Sequence, residues 1–309
     1  MKKIQYKILM LCLAFLSAFK GISQQLPQFT QFIFNTISIN PAYAGTREKL
    51  TVAFLNRNQW VGIDGGPVTQ TFTADTSIPY SNLGVGLSVI NDQLGFERIT
   101  YAYADGSYTV NLNKDYRLSF GLKAGATRYD IDPDLLSDSE AIGDQFLDRN
   151  FNRWEPNFGA GLYLRTDNWF VGFSSPRIIN YANNSDLDFL GIERISYYLN
   201  GGYLLNLSSG LTFRPTVLFK FTNGAPPSAD LTANFLVNEK LWLGASYRTG
   251  DGFGGLATFQ AFKNLRVGYA YEYTINSIRQ FTSGSHEVFI TYQFDLFRPV
   301  SQCNCPNKF

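Results

Sequence analysis

Histidine occurs once in these 309 residues, methionine twice and cysteine three times. The single histidine, His286, has no second imidazole and no nearby cysteine in sequence, so neither a zinc centre nor a nucleophilic triad can be assembled around it. Charge is scarce: Asp, Glu, Lys and Arg make up 17% of the chain, against about 25% in an ordinary soluble domain. Long apolar runs are missing as well, and none reaches the ~20 residues that a membrane-crossing helix needs. There is no glycine-rich loop of phosphate-binding spacing. Distant carboxylates could meet in any barrel, but nothing in their spacing selects an acid/base pair. The expectation is a non-enzyme, with no catalytic group, cofactor or metal.

What the chain does have is aromatic and small residues. Aromatics reach 16%, with 27 Phe and 18 Tyr, beside 27 Gly. A surface rich in rings and poor in charge is built to meet something other than water. The N-terminus reads as an export signal. Lys2, Lys3 and Lys7 precede an apolar run from Ile8 to Phe19, and Gly21 and Ser23 stand at −3 and −1 of a cleavage site before Gln24. Cys12 follows Leu11 rather than a small residue, which argues against a lipoprotein cysteine. Removing residues 1–23 takes four of the 26 basic residues and none of the 25 acidic ones, leaving a net charge of −3. That is no footprint for nucleic acid.

Period-two alternation runs through the remainder. Val85, Leu87 and Val89 alternate with Gly84, Gly86 and Ser88; Leu118 to Ala126 and Phe158 to Leu164 behave alike, as do Val267 to Tyr273 and Val288 to Phe294. Successive side chains on a strand face opposite ways, so each segment has one apolar and one small or polar face. Fourteen strands are expected, near 47–57, 68–79, 82–92, 98–112, 115–128, 155–166, 168–175, 195–207, 210–221, 228–238, 240–249, 253–262, 264–276 and 284–297. Their connections alternate. Short ones fall at Tyr80–Ser81, Asn113–Lys114, Asp167, Ser208–Ser209, Glu239 and Lys263; longer ones span 58–67, 93–97, 129–154, 176–194, 222–227, 250–252 and 277–283. Short turns at one end and long loops at the other mark an outer-membrane barrel. The fold expected is therefore all-β: a transmembrane antiparallel up-and-down barrel of about fourteen strands, embedded in outer-membrane lipid.

Several features have two readings. Trp60, Trp169 and Trp242 near strand ends suit an interfacial girdle, or ordinary core. The glycines on strand faces relieve crowding in a curved sheet. The acidic stretch from Asp130 to Arg153 fails the calcium-loop test, with Leu135 where glycine is needed and Ala141 at the twelfth position; a solvated loop is expected. His286, at the start of the last strand, is expected in a polar network. Cys303 and Cys305 are too close for an unstrained mutual disulfide, which leaves a bond to a partner thiol in an oxidising periplasm open.

Three stretches carry a resemblance. The first is Gln28-Phe29-Thr30-Gln31-Phe32, then Asn35, then Asn40-Pro41-Ala42-Tyr43-Ala44-Gly45. The second is Arg57-Asn58-Gln59-Trp60, and the third Gly284-Ser285-His286-Glu287-Val288, with a Cys-Pro tail at Cys305-Pro306. Together they resemble the PorP/SprF family of the Bacteroidetes type IX secretion system. The resemblance implies an outer-membrane barrel that supports export or surface attachment of large proteins with a C-terminal sorting domain, gliding adhesins among them. It also implies periplasmic type IX components as partners. The residues themselves leave more open. Asn40-Pro41 favours a turn and Gly45 can take a positive φ, so residues 24–45 read as an ordered segment at the periplasmic mouth or inside the lumen, or as a mobile leader. Arg57, Gln59 and Trp60 could fix the register of the wall or touch a partner. The organisation expected is a signal peptide over 1–23, this plug segment over 24–45, the barrel over 46–297 and a periplasmic tail over 298–309. The motif residues Asn35, Asn40, Pro41, Ala42, Tyr43, Gly45, Arg57, Gln59, Trp60, His286, Glu287, Cys303 and Cys305 are the candidate partner sites. The rival function is a porin or transporter for small solutes.

Overall fold

The computed structural model of the chain describes residues 29–47, 49–131, 153–180 and 194–295. Fifteen strand segments form one sheet. They are β1 (Leu50–Asn58), β2 (Val68–Ser77), β3 (Leu83–Leu94), β4 (Glu97–Asn111), β5 (Arg117–Ile131), β6 (Arg153–Arg165), β7 (Trp169–Ser175) and β8 (Ser196–Tyr203). After them come β9 (Leu205–Ser208), β10 (Leu211–Thr222), β11 (Ser228–Val237), β12 (Leu241–Arg248), β13 (Gly252–Phe262), β14 (Leu265–Thr274) and β15 (Ser285–Phe294). Each pairs antiparallel with the next, except that β8 and β9 both pair with β10, and β1 pairs with β15 from Leu50↔Phe294 to Asn58↔His286, so the sheet closes.

β8 and β9 are one stave with a break, since both pair with β10. The closed barrel therefore has fourteen staves, matching the fourteen expected strands. The break has a sequence cause. Thr216 pairs with Gly202 and Phe213 with Leu205, which puts Pro215 beside the gap. Proline has no N–H to give a ladder, and Leu204 turns inward instead, buried.

Burial is inverted relative to a soluble protein. Phe54, Phe72, Leu87, Phe120, Leu122, Phe158, Leu162, Phe173, Leu231, Leu243 and Ile290 are exposed on the outer face. Thr51, Thr71, Ser88, Asp105, Lys123, Asn157, Asn200, Lys220 and Glu272 are buried on the inner one. Apolar out and polar in is the wall that lipid requires, and closure satisfies every strand edge.

The ends differ mostly as expected. Hairpins at the turn end are tight; Asn238 and Glu239 both take positive φ, 49° and 57°, the backbone of a two-residue type I′ turn. At the loop end the connection after β3 is short as well, two residues where 93–97 was expected, and the one after β12 has three, the length expected of 250–252. Gly95 and Gly250, with φ of 57° and 76°, permit those tight turns. The acidic stretch over 132–152 and the tail with Cys303 and Cys305 lie outside the described residues.

The three tryptophans divide between the two readings. Trp169 stands at the turn end in an edge contact with Tyr116, centroids 5.9 Å apart. Trp242 does not belong to the girdle. It is buried on the inner face, against Phe34 and under the Arg214 guanidinium at 3.9 Å. A charged lumen side chain and a ring from another segment gave it a better partner than the interface. Trp60 lies in the 59–67 loop with φ 55°, half-buried.

Candidate functional site

The lumen is occupied by the chain's own N-terminal segment. Phe29 to Ala44 are all buried, Asn40 and Ala42 completely. The segment forms three short 3-10 turns, Phe32–Phe34, Thr36–Ser38 and Pro41–Tyr43. Its local sequence explains the last one. Asn40 caps it by accepting a hydrogen bond from the Ala42 N–H at 3.0 Å, and Pro41 sits at the first position, where its missing N–H costs nothing.

Near the loop end the segment is held by charge. Glu287 of β15 accepts the backbone N–H groups of Thr30 and Gln31, at 3.0 and 2.9 Å. Arg57 of β1 donates to Thr30 Oγ1 at 3.0 Å, pairs with Glu287 at 3.3 Å and with Glu272 of β14 at 2.8 Å. Glu272 also accepts from the Thr30 hydroxyl at 3.1 Å and meets Arg248 of β12 at 3.3 Å, which in turn pairs with Asp230. These groups are buried, so each charge depends on its partners. Arg57 was expected either to fix the register of the wall or to touch a partner. Its side chain instead points into the lumen and joins wall to segment.

Mid-lumen, Lys123 of β5 pairs with Asp105 of β4 at 2.8 Å and donates to the Ile37 carbonyl at 3.3 Å. Toward the turn end, Ser174 donates to the Ile39 carbonyl at 2.9 Å, Ser107 to the Ala44 carbonyl at 2.6 Å, and Asn40 Nδ2 to the Leu162 carbonyl at 3.0 Å. The wall thins to admit the turn. A Cβ added at Gly121 would sit 2.1 Å from the Ala42 nitrogen, and one at Gly161 2.2 Å from Asn40 Oδ1. These inner glycines are contact sites for the segment, a role that curvature alone does not give them. Tyr43 packs edge-on against Tyr163 at 5.5 Å, and Arg47 lies 5.2 Å over the Tyr43 ring and 3.2 Å from Asp75. Gly45 takes the positive φ foreseen for it, 69°, and passes the chain out beside Gly84.

Thus the first and third motif stretches meet directly at Thr30, Gln31 and Glu287, and Arg57 of the second closes the triangle. The second and third also meet at the loop end, where Trp60 N–H donates to Ser285 Oγ at 3.2 Å and Val61 N–H to the Gly284 carbonyl at 2.8 Å. Gln59 stands apart, its N–H on the Pro67 carbonyl at 2.8 Å. His286 faces outward, away from Glu287, with Nδ1 2.7 Å from the Tyr269 hydroxyl, a strand-start polar contact as expected. Asn35 is buried with neither amide atom partnered among the described residues. Glu272, Arg248, Lys123 and Asp105 were not singled out from sequence. Their signal was a lone charge in an alternating strand, as in Tyr271-Glu272-Tyr273.

The sequence matches the family described as type IX secretion system membrane protein PorP/SprF over residues 21–292. The chain belongs to the PorP/SprF family. No curated protein matches it in sequence. Among solved structures it is similar to the outer membrane protein Omp33 of Acinetobacter baumannii, at 10% identity over 81% of this chain and all of that one, TM-score 0.49. It is also similar to the NanC porin, at 8% identity over 79% of this chain and all of that one, TM-score 0.42. These likenesses are too distant to bear on function, and the barrel rests on the strand pairing itself. As a PorP/SprF member with a closed, lipid-facing wall, the protein is an outer-membrane barrel of the type IX secretion system.

Proposed function

We propose that this PorP/SprF protein is a non-enzymatic partner barrel of type IX export. It binds a secreted protein or adhesin through its C-terminal domain, or a periplasmic type IX component, and so supports export and surface attachment. The family supports the setting. The observation that carries the choice against a solute channel is the filled lumen: Phe29–Ala44 are buried inside the wall and tied to it by hydrogen bonds from loop end to turn end, several of them to charged wall groups. A route for solutes needs that space. The motif residues Asn35, Asn40, Pro41, Ala42, Tyr43, Arg57 and Glu287 then act from within, fixing the segment, and partner contact falls to the loops and the mouths. The residues before Gln24 are proposed to be removed on export.

The test is affinity purification of the tagged protein from its native membrane in mild detergent, followed by mass spectrometry and planar-bilayer conductance. The expected result is co-purification of a large secreted protein with a C-terminal sorting domain, or of a periplasmic type IX component, with no conducting steps. A lone barrel that conducts ions would establish the solute-channel reading in its place.

A further inference from the structure

The ring closes stave to stave, but one segment runs past it. β9 pairs with β10 and, alone among the described strands, has no strand on its other side. The neighbouring stave there is β7, and it stops short. Its first residue, Trp169, is the register partner of Tyr203, and the 166–168 turn leads back to β6. The hairpin of β9 and β10 therefore overshoots its neighbour by the length of β9. Leu205 to Ser208 are all exposed.

The ladder shows which groups are bare. The Leu204 N–H donates to the Asn168 carbonyl at 2.6 Å, on the side away from β10. Backbone groups alternate along an antiparallel strand, so two residues on, at Asn206, the N–H and C=O point the same way. Among the described residues no strand stands there to receive them. An open edge is tolerated only outside hydrocarbon. β9 thus lies past the bilayer at the turn end, which faces the periplasm in outer-membrane barrels.

A residue that presents N–H and C=O side by side on a sheet edge is met in register by another extended backbone. The side chains narrow the choice. Leu205 and Leu207, 42% and 55% exposed, lie on the outer face. Asn206 lies on the inner one with its partner Thr212, whose hydroxyl donates to Asn206 Oδ1 at 3.0 Å. On that inner side a cavity of about 350 Å³ opens between the tips of two hairpins, lined by Asn206, Ser208, Thr212, Leu236 and Glu239. A strand with apolar side chains on one face and small polar ones on the other suits both sides of this edge.

We propose that β9 is a docking edge, to which an extended segment of a periplasmic polypeptide, with apolar and small polar residues alternating, adds as a further strand through the Asn206 backbone. That this polypeptide is an export partner rests on the function proposed above. The pairing itself is read on the purified barrel, so it can fail while co-purification succeeds, and the reverse.

The experiment is a fluorescence-anisotropy titration of the full-length protein in detergent with dye-labelled Lys-Thr-Val-Thr-Val-Thr-Lys amide, and with the same peptide N-methylated at every Thr and Val. The first peptide is expected to bind saturably and the methylated one at least about tenfold more weakly, because it cannot donate to the edge. Asn206→Pro removes the bare N–H and leaves the ladder to β10 in place; it is expected to weaken binding by a similar factor with an unchanged melting temperature. Asn206→Ala keeps the N–H and is expected to bind as the wild type does. Equal binding of the two peptides, full binding by the Asn206→Pro protein, or no saturable binding would overturn the proposal. So would a wild-type dimer that Asn206→Pro turns into a monomer, since the edge would then belong to a second copy of the chain. Should Asn206→Pro fail to fold, the two peptides on the wild type decide it.

Discussion

At the scale of single residues the lumen is governed by buried charge. Arg57 serves two carboxylates and a threonine hydroxyl at once, so its loss leaves Glu287 buried without a cation. Removing one member of a buried pair costs roughly 3–5 kcal/mol. Arg57→Met is expected to destabilise the barrel by about that amount in a denaturant titration, and the double variant Arg57→Met, Glu287→Gln to recover part of it. Strict additivity of the two would show that the pair does not interact. Close packing makes a second residue-scale test. Gly121→Ala forces a methyl into the Ala42 backbone, where overpacking typically costs about 1–3 kcal/mol; Gly106→Ala, with nothing within 4 Å, is expected to be neutral. A third concerns pH. Asp295, at the exposed turn end, is held below the usual carboxylate range by its hydrogen bond from Lys49 and then by Asn264. A carboxyl with a lowered folded-state pKa stabilises above its ordinary pKa, and that contribution fades as pH falls through the lowered value. Comparing melting temperatures of wild type and Asp295→Asn should give a small difference near neutrality that vanishes in acid; a difference independent of pH would refute the assignment.

At the scale of elements, the staves were legible in the sequence and the segment inside them only in part. Alternation such as Phe158 to Leu164 fixes which residues face out, because in a sheet the period is two and lipid tolerates only one choice. The break between β8 and β9 was foreshadowed by Pro215, though a proline does not say which neighbouring stave will yield. Burial of Phe29–Ala44 could not be read from periodicity. A run of single 3-10 turns has no amphipathic face, and its partners Glu272, Lys123 and Ser107 lie far along the chain. The three motif stretches could be noticed, but their meeting around Thr30 depends on the closure of the ring. For the same reason the sequence left Trp242 between girdle and core: its position along β12 marks it as near an end, while the Arg214 and Phe34 contacts that draw it inward are long-range. Native-state hydrogen exchange probes this element. The N–H groups of Thr30 and Gln31 are expected to exchange far more slowly than those of the 78–82 turn, and Arg57→Met should speed them selectively. Equal rates in the two regions would mean that the segment is not held.

The whole molecule is a wall with lipid on one side and protein on the other, and the two faces should respond differently to the same charge. Leu122, 71% exposed midway along β5, is set against the bilayer. Leu122→Arg is expected to cost about 2–4 kcal/mol in folding into vesicles, the usual penalty at the membrane midplane. Tyr80→Arg, at an exposed turn, is expected to cost little. Similar losses at both positions would place the membrane elsewhere on the barrel. One feature of the closed ring reaches beyond stability. Arg57 and Glu287 are register partners across the junction of β1 with β15, and they are also the groups that grip Thr30 and Gln31. The start of the lumen segment and the last strand of the ring therefore find their places together. A chain still lacking its final strand has no Glu287 to receive the Thr30 and Gln31 N–H groups, so shutting the ring and sealing in its contents are two sides of one act.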